Sequence, residues 1–66
     1  MKSVGTHLKF KLDGLYKGEG IIIGTDYLKY KNYLIEYYNV ILLKKCDMYN
    51  PTEIVNVFEE EITEYS

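Results

Sequence analysis

The sequence predicts a small all-β protein, and three observations carry that prediction. Eight of the 66 residues are tyrosine, and five of these (Tyr27, Tyr30, Tyr33, Tyr37, Tyr38) cluster among lysines and β-branched residues. Tyrosine is wide, rigid and half polar, which suits a pleated surface with one dry and one wet side. Leu8-Lys9-Phe10-Lys11-Leu12 alternates apolar and charged residues at period two, the signature of a half-buried strand. Ile21-Ile22-Ile23 is a β-branched triplet bounded by glycines.

The elements follow in chain order. Asp13-Gly14 after the first strand is a strong turn signal. Leu15-Tyr16-Lys17 is short, and Gly18-Glu19-Gly20 suggests a tight bend or bulge rather than a strand interior. The isoleucine triplet reads as a central strand buried on both faces, or nearly so. Gly24-Thr25-Asp26 reads as a turn, and residues 27–32 as an exposed strand or a long hairpin loop. Residues 33–45 have no alanine and favour two strands, roughly 33–38 and 40–45, bent or turned near Asn39. A helix with Leu34, Tyr38, Ile41, Leu42 and Lys45 on one stripe is the alternative. Asp47 to Pro51 is a loop, although Pro51 and Glu53 would also suit a helix start. Val55 and Val57 mark a last strand with Asn56 facing out. Phe58 to Ile62 then forms a short acidic or helical turn that drops Phe58 and Ile62 onto the end of the β fold.

Size and composition bound the rest. The chain makes one domain, residues 1–66, and a domain this short buries only about 60% of its unfolded surface. One cysteine rules out an internal disulfide, and one histidine leaves a poor zinc ligand set. Self-association is the remaining aid to stability, so a homodimer is expected. A hydrophobic fraction of 47% suits a globular core. The net charge is −2 and every basic residue is lysine, which argues against a general duplex-DNA binder. The N-terminal residues show no secretory signal, and the longest apolar run is far too short to cross a bilayer. A cytoplasmic location with no membrane partner is expected.

Few residues offer chemistry. His7 has no nucleophile with an orienting acid beside it in sequence, and reads as an exposed or edge histidine. Cys46 follows two lysines that would favour a thiolate, but its place after an apolar strand reads as a small buried hydrophobe. Gly18-x-Gly20 lacks the remaining features of a nucleotide-binding loop. No catalytic, metal or cofactor site is expected.

Gly14-Leu15-Tyr16-Lys17-Gly18-Glu19-Gly20-Ile21-Ile22-Ile23-Gly24 resembles the opening of SH3-like small barrels, in which a Gly-x-Gly bend precedes the second strand. Tyr33-Leu34-Ile35-Glu36-Tyr37 looks like the following strand, and Val57 to Ile62 like the closing one. The resemblance covers most of the chain from Gly14 onward. It implies about five short strands and a binding face between long loops, and it implies no particular partner.

Two surfaces are candidates for binding. Tyr16, Lys17, Tyr27, Lys29, Tyr30 and Lys31 make a tyrosine–lysine surface, suited to a protein hot spot or to stacking single-stranded bases. Glu59, Glu60, Glu61 and Glu64 make an acidic patch that either mimics phosphates toward a basic partner or is a solvated end. The expected function is non-enzymatic binding of another protein. The coding style looks AT-rich and phage-like, which suits an inhibitor or regulator of a host protein, including a defence system. The alternative is single-stranded nucleic-acid binding through the tyrosines and lysines.

Overall fold

A computed structural model describes residues 2–65 as five antiparallel strands in one sheet. The strands are β1 (His7–Leu12), β2 (Tyr16–Tyr30), β3 (Tyr33–Leu42), β4 (Ile54–Phe58) and β5 (Ile62–Tyr65), in the spatial order β4-β3-β2-β1-β5. One 3-10 turn, Glu59–Glu61, joins β4 to β5. The fold is all-β, and the helical alternative for residues 33–45 is excluded. The hydrogen-bonded ladder does not close, because β4 and β5 form its two edges.

Period two sorts the core as the sequence implies. Leu8 and Phe10 of β1 are buried, with Lys9 and Lys11 on the opposite face. Ile22, Tyr38, Val40, Leu42, Val55, Val57 and Cys46 complete the buried cluster, and Leu12, Ile62 and Tyr65 pack against it. Phe58 meets Tyr37 edge to face, with ring centres 5.7 Å apart.

Several expectations are corrected. Gly18, Glu19 and Gly20 do not bend the chain but lie inside β2. Gly20 is there for close packing: a Cβ added to it would come within 2.4 Å of the Ile41 carbonyl oxygen and 2.5 Å of a Val40 methyl. Gly24-Thr25-Asp26 is also strand, paired with Asn39, Tyr38 and Tyr37. The isoleucine triplet is buried only at Ile22, because a one-sided strand turns its neighbours outward; Ile23 is exposed. Residues 33–42 form one strand, and the chain leaves the sheet after Leu42. The irregularity expected at Asn39 lies across the ladder, where the β2–β3 register shifts between Ile22 and Gly24. Two of the five strands are long, at 15 and 10 residues. A straight β2 would span about 46 Å at about 3.3 Å per residue, whereas the longest dimension of the molecule is 35 Å. β2 therefore bends, and the bulge at Ile23 lies within it.

The turns follow their residues. Asp13 and Gly14 both take positive φ, 53° and 69°, as a Asp-Gly hairpin requires. Thr52 at φ 74° stops residues 50–53 from starting a helix. β4 is not the last strand: β5 follows the 3-10 turn and pairs with β1. Glu61 locks that turn, its carboxylate accepting the Phe58 N–H at 2.9 Å and the Asp13 N–H at 2.9 Å.

Candidate binding surfaces

β2 and β3 outrun the rest of the sheet. β1 pairs with β2 only as far as Ile21, and β4 pairs with β3 only from Tyr37 to Ile41. Beyond those limits the two strands continue together to a two-residue turn between Tyr30 and Tyr33, with Lys31 at φ 53°. Every residue from 25 to 36 is exposed. The result is a two-stranded arm with no third strand against it among the described residues.

Cross-strand register assigns its two faces, since directly opposite residues project to the same side. Leu28 faces Ile35, and Tyr30 faces Tyr33, giving one face of four large apolar or aromatic side chains. Tyr37, paired with Asp26, continues that face toward Phe58. The other face holds Tyr27 with Glu36 and Lys29 with Leu34. Tyr33 and Leu34 are 65% and 63% exposed, high for large apolar side chains in regular strand. The Lys31 ammonium lies 5.6 Å from the centre of the Tyr30 ring at the tip.

The six residues of the tyrosine–lysine surface thus do not form one platform. Tyr27, Lys29, Tyr30 and Lys31 lie on the arm, split between its faces and its turn, while Tyr16 and Lys17 begin the same strand beside β1. Leu28, Tyr33, Leu34 and Ile35 belong to the exposed arm and were not singled out from sequence. The signal was there: a run of large apolar residues at period two on both strands exceeds what a single core face absorbs. Of the eight tyrosines, Tyr16, Tyr27, Tyr30, Tyr33 and Tyr49 are exposed, and only Tyr38 is buried.

The acidic residues are mostly occupied within the chain. Glu59 accepts the Tyr65 hydroxyl at 2.8 Å, Glu61 caps the 3-10 turn, and Glu64 lies 3.5 Å from Lys9. The hydroxyls of Tyr38 and Tyr65 hold the Glu59 carboxyl below its ordinary range. Burial, then the Glu59 carboxylate, pushes the Tyr65 phenol well above its own.

A second concave region lies on the outward side of β1 and β2. Its volume is 550 Å³, and Lys9, Lys11, Lys17, Lys44, Lys45 and Glu19 line it. Glu19 is shared: one oxygen lies 3.2 Å from Lys44 and the other 2.6 Å from His7. Lys44 first and His7 second hold its carboxyl below the ordinary range. His7 therefore sits on the β1 face bonded to a carboxylate. Cys46 is buried, and burial followed by the Asp47 charge raises its thiol pKa, opposite to the shift expected from the two lysines before it. Among the described residues, no three His, Cys, Asp or Glu side chains converge as a metal site. No helix among them is long and apolar enough to cross a membrane.

Fold and surface together define a small all-β domain carrying a projecting aromatic arm. Comparison of the chain with protein-family models, curated proteins and solved structures gives no match.

Proposed function

We propose that this is a non-enzymatic, cytoplasmic binding protein that grips another protein with the β2–β3 arm. One observation supports this above others: ten residues, 25–30 and 33–36, are held in a regular ladder and left exposed, with Leu28, Tyr30, Tyr33 and Ile35 on one face. Aromatic and branched side chains on a pre-formed strand pair are suited to an interface core, because little ordering remains to oppose binding. The arm also leaves one backbone edge of each strand unpaired, so the partner can add a strand to it. The partner is a protein with an apolar groove or an open sheet edge. Inhibition or regulation of a host protein is the form of this role that suits so small a chain. Kinship with SH3-like barrels is inferred in the same way, supported by the order β4-β3-β2-β1-β5 and the 3-10 turn before β5.

A photoreactive phenylalanine analogue at position 33, compared with one at Met48, tests the reading. Met48 is 83% exposed and samples random collisions. A discrete heavier adduct from position 33 in the source cell, absent from position 48, is expected. An adduct of twice the chain's mass identifies the partner as a second copy. Equal labelling from both positions, or none from 33, overturns the proposal.

A further inference from the structure

The lysine-lined groove carries a feature that neither the fold nor the arm requires. Lys11 and Lys17 are directly opposed across β1 and β2, on the same face of the sheet. Like charges placed directly opposite weaken a strand pair. Neither lysine, nor Lys45, takes part in an ion pair among the described residues. Five of the eight lysines and one of the ten acidic residues line this groove. It therefore carries a formal charge of +4 in a chain of net −2, and everything outside it sums to −6. Its one carboxylate, Glu19, is already shared by His7 and Lys44. Phe10 and Gly18 of the paired strands complete the floor, and Thr63 of β5 adds a hydroxyl at the rim. The side-chain positions of Phe10 and Gly18 point into the core, away from the lysines, so neither fills the groove.

We propose that this groove binds a linear run of phosphate groups, through Lys11, Lys17 and Lys45 with Lys9 and Lys44 at its margins. Lysine suits this task as a mobile point charge that holds phosphates without reading bases. A single-stranded nucleic-acid backbone and inorganic polyphosphate share this chemistry, and both are linear and multiply charged. The proposal is independent of the arm, since the two surfaces have no residue in common.

The test is anisotropy of a labelled twelve-residue oligothymidylate, titrated with the full chain at several salt concentrations, with unlabelled inorganic polyphosphate as competitor. Affinity is expected to fall with salt with a logarithmic slope of about −2 or steeper, as about three phosphate contacts predict. The triple variant Lys11→Gln/Lys17→Gln/Lys45→Gln is expected to bind at least tenfold more weakly and to lose most of that slope. Its unfolding midpoint should equal or exceed that of the parent, because a repulsive pair is removed; this separates lost binding from lost folding. Tyr33→Ala, on the arm, should leave oligonucleotide binding unchanged. Complete displacement by polyphosphate supports recognition of the phosphates alone. Failure of polyphosphate to displace the oligonucleotide overturns the proposal, as does equal binding by the triple variant or no binding at the lowest salt.

Discussion

Phe10 and Gly18 face each other across β1 and β2, and a Cβ built on Gly18 would lie 2.4 Å from Cε2 of the ring. The ring occupies the place of the side chain that glycine omits. Gly18→Ala is therefore expected to destabilise the fold by about 1–3 kcal/mol through overpacking. Phe10→Leu in the same chain should recover part of that loss, because the obstructing atoms belong to the ring. Phe10→Leu should not rescue Gly20→Ala, whose nearest obstacle is the backbone oxygen of Ile41. Denaturant unfolding of the two single–double series measures both couplings. Additive losses in the Gly18 series would refute this account of the glycine.

These glycines also show what a lone sequence conveys. The alternation from Leu8 to Leu12, the Asp13-Gly14 turn and the Val55–Val57 strand were legible, because period and turn chemistry act over a few residues. Gly18 and Gly20 misled, since a glycine that bends a strand and one that admits a neighbour's ring look alike in one dimension. Gly24-Thr25-Asp26 misled for the reverse reason: Asn39, Tyr38 and Tyr37, fifteen to eleven positions on, hold those turn-prone residues extended. The tyrosines were legible as a surplus over the core. Their division between the arm and the base of β2 depends on where β1 and β4 stop pairing, and no local pattern encodes that. The lysine groove was hidden similarly, since Lys44 and Lys45 reach β1 and β2 only through the sheet.

Glu19 sets an acid sensitivity. Its pKa in the folded chain is lowered from 4.5 by Lys44 and His7. A carboxylate depressed on folding contributes stability that is complete above the unfolded value and lost as pH falls through the folded one. The parent chain should thus weaken below about pH 4.5. Glu19→Gln should narrow the gap between urea midpoints measured at pH 6 and at pH 3. Glu59 is depressed too, so a gap should remain. An unchanged gap in Glu19→Gln would remove Glu19 from the explanation.

Tyr65 acts at the opposite end of the scale. Its folded pKa is raised above 10.0 by burial and by Glu59, so its contribution is present below that value and lost as pH rises through the folded one. Tyr65→Phe deletes the 2.8 Å bond to Glu59 and should cost about 0.5–1.5 kcal/mol at neutral pH. The deficit should begin to shrink above pH 10.0, where the phenol of the unfolded parent ionises and that of the folded one keeps its proton. Thermal midpoints from pH 7 to pH 11 measure it, and a constant deficit would contradict the assignment.

The arm should be the least protected ordered part of the molecule. A two-stranded ribbon without a third strand or a covering layer is marginal in water. Its ladder opens without exposing any of the buried cluster, since no residue from 25 to 36 belongs to that cluster. Hydrogen exchange should therefore be fast at the arm amides of residues 27–36 and slow at Ile22, Val40 and Leu42. Side chains should divide in the same way. Ile22→Ala should cost about 2–5 kcal/mol, whereas Tyr33→Ala should stay within about 0.5 kcal/mol. If the arm grips a partner, its amides should slow on complex formation while those of the core hold their rates. Arm amides already as slow as Val40 in the free chain would mean that something else covers them, a second copy first among the candidates. Mass by light scattering at the same concentration would then decide between a dimer and an arm folded back on its own chain.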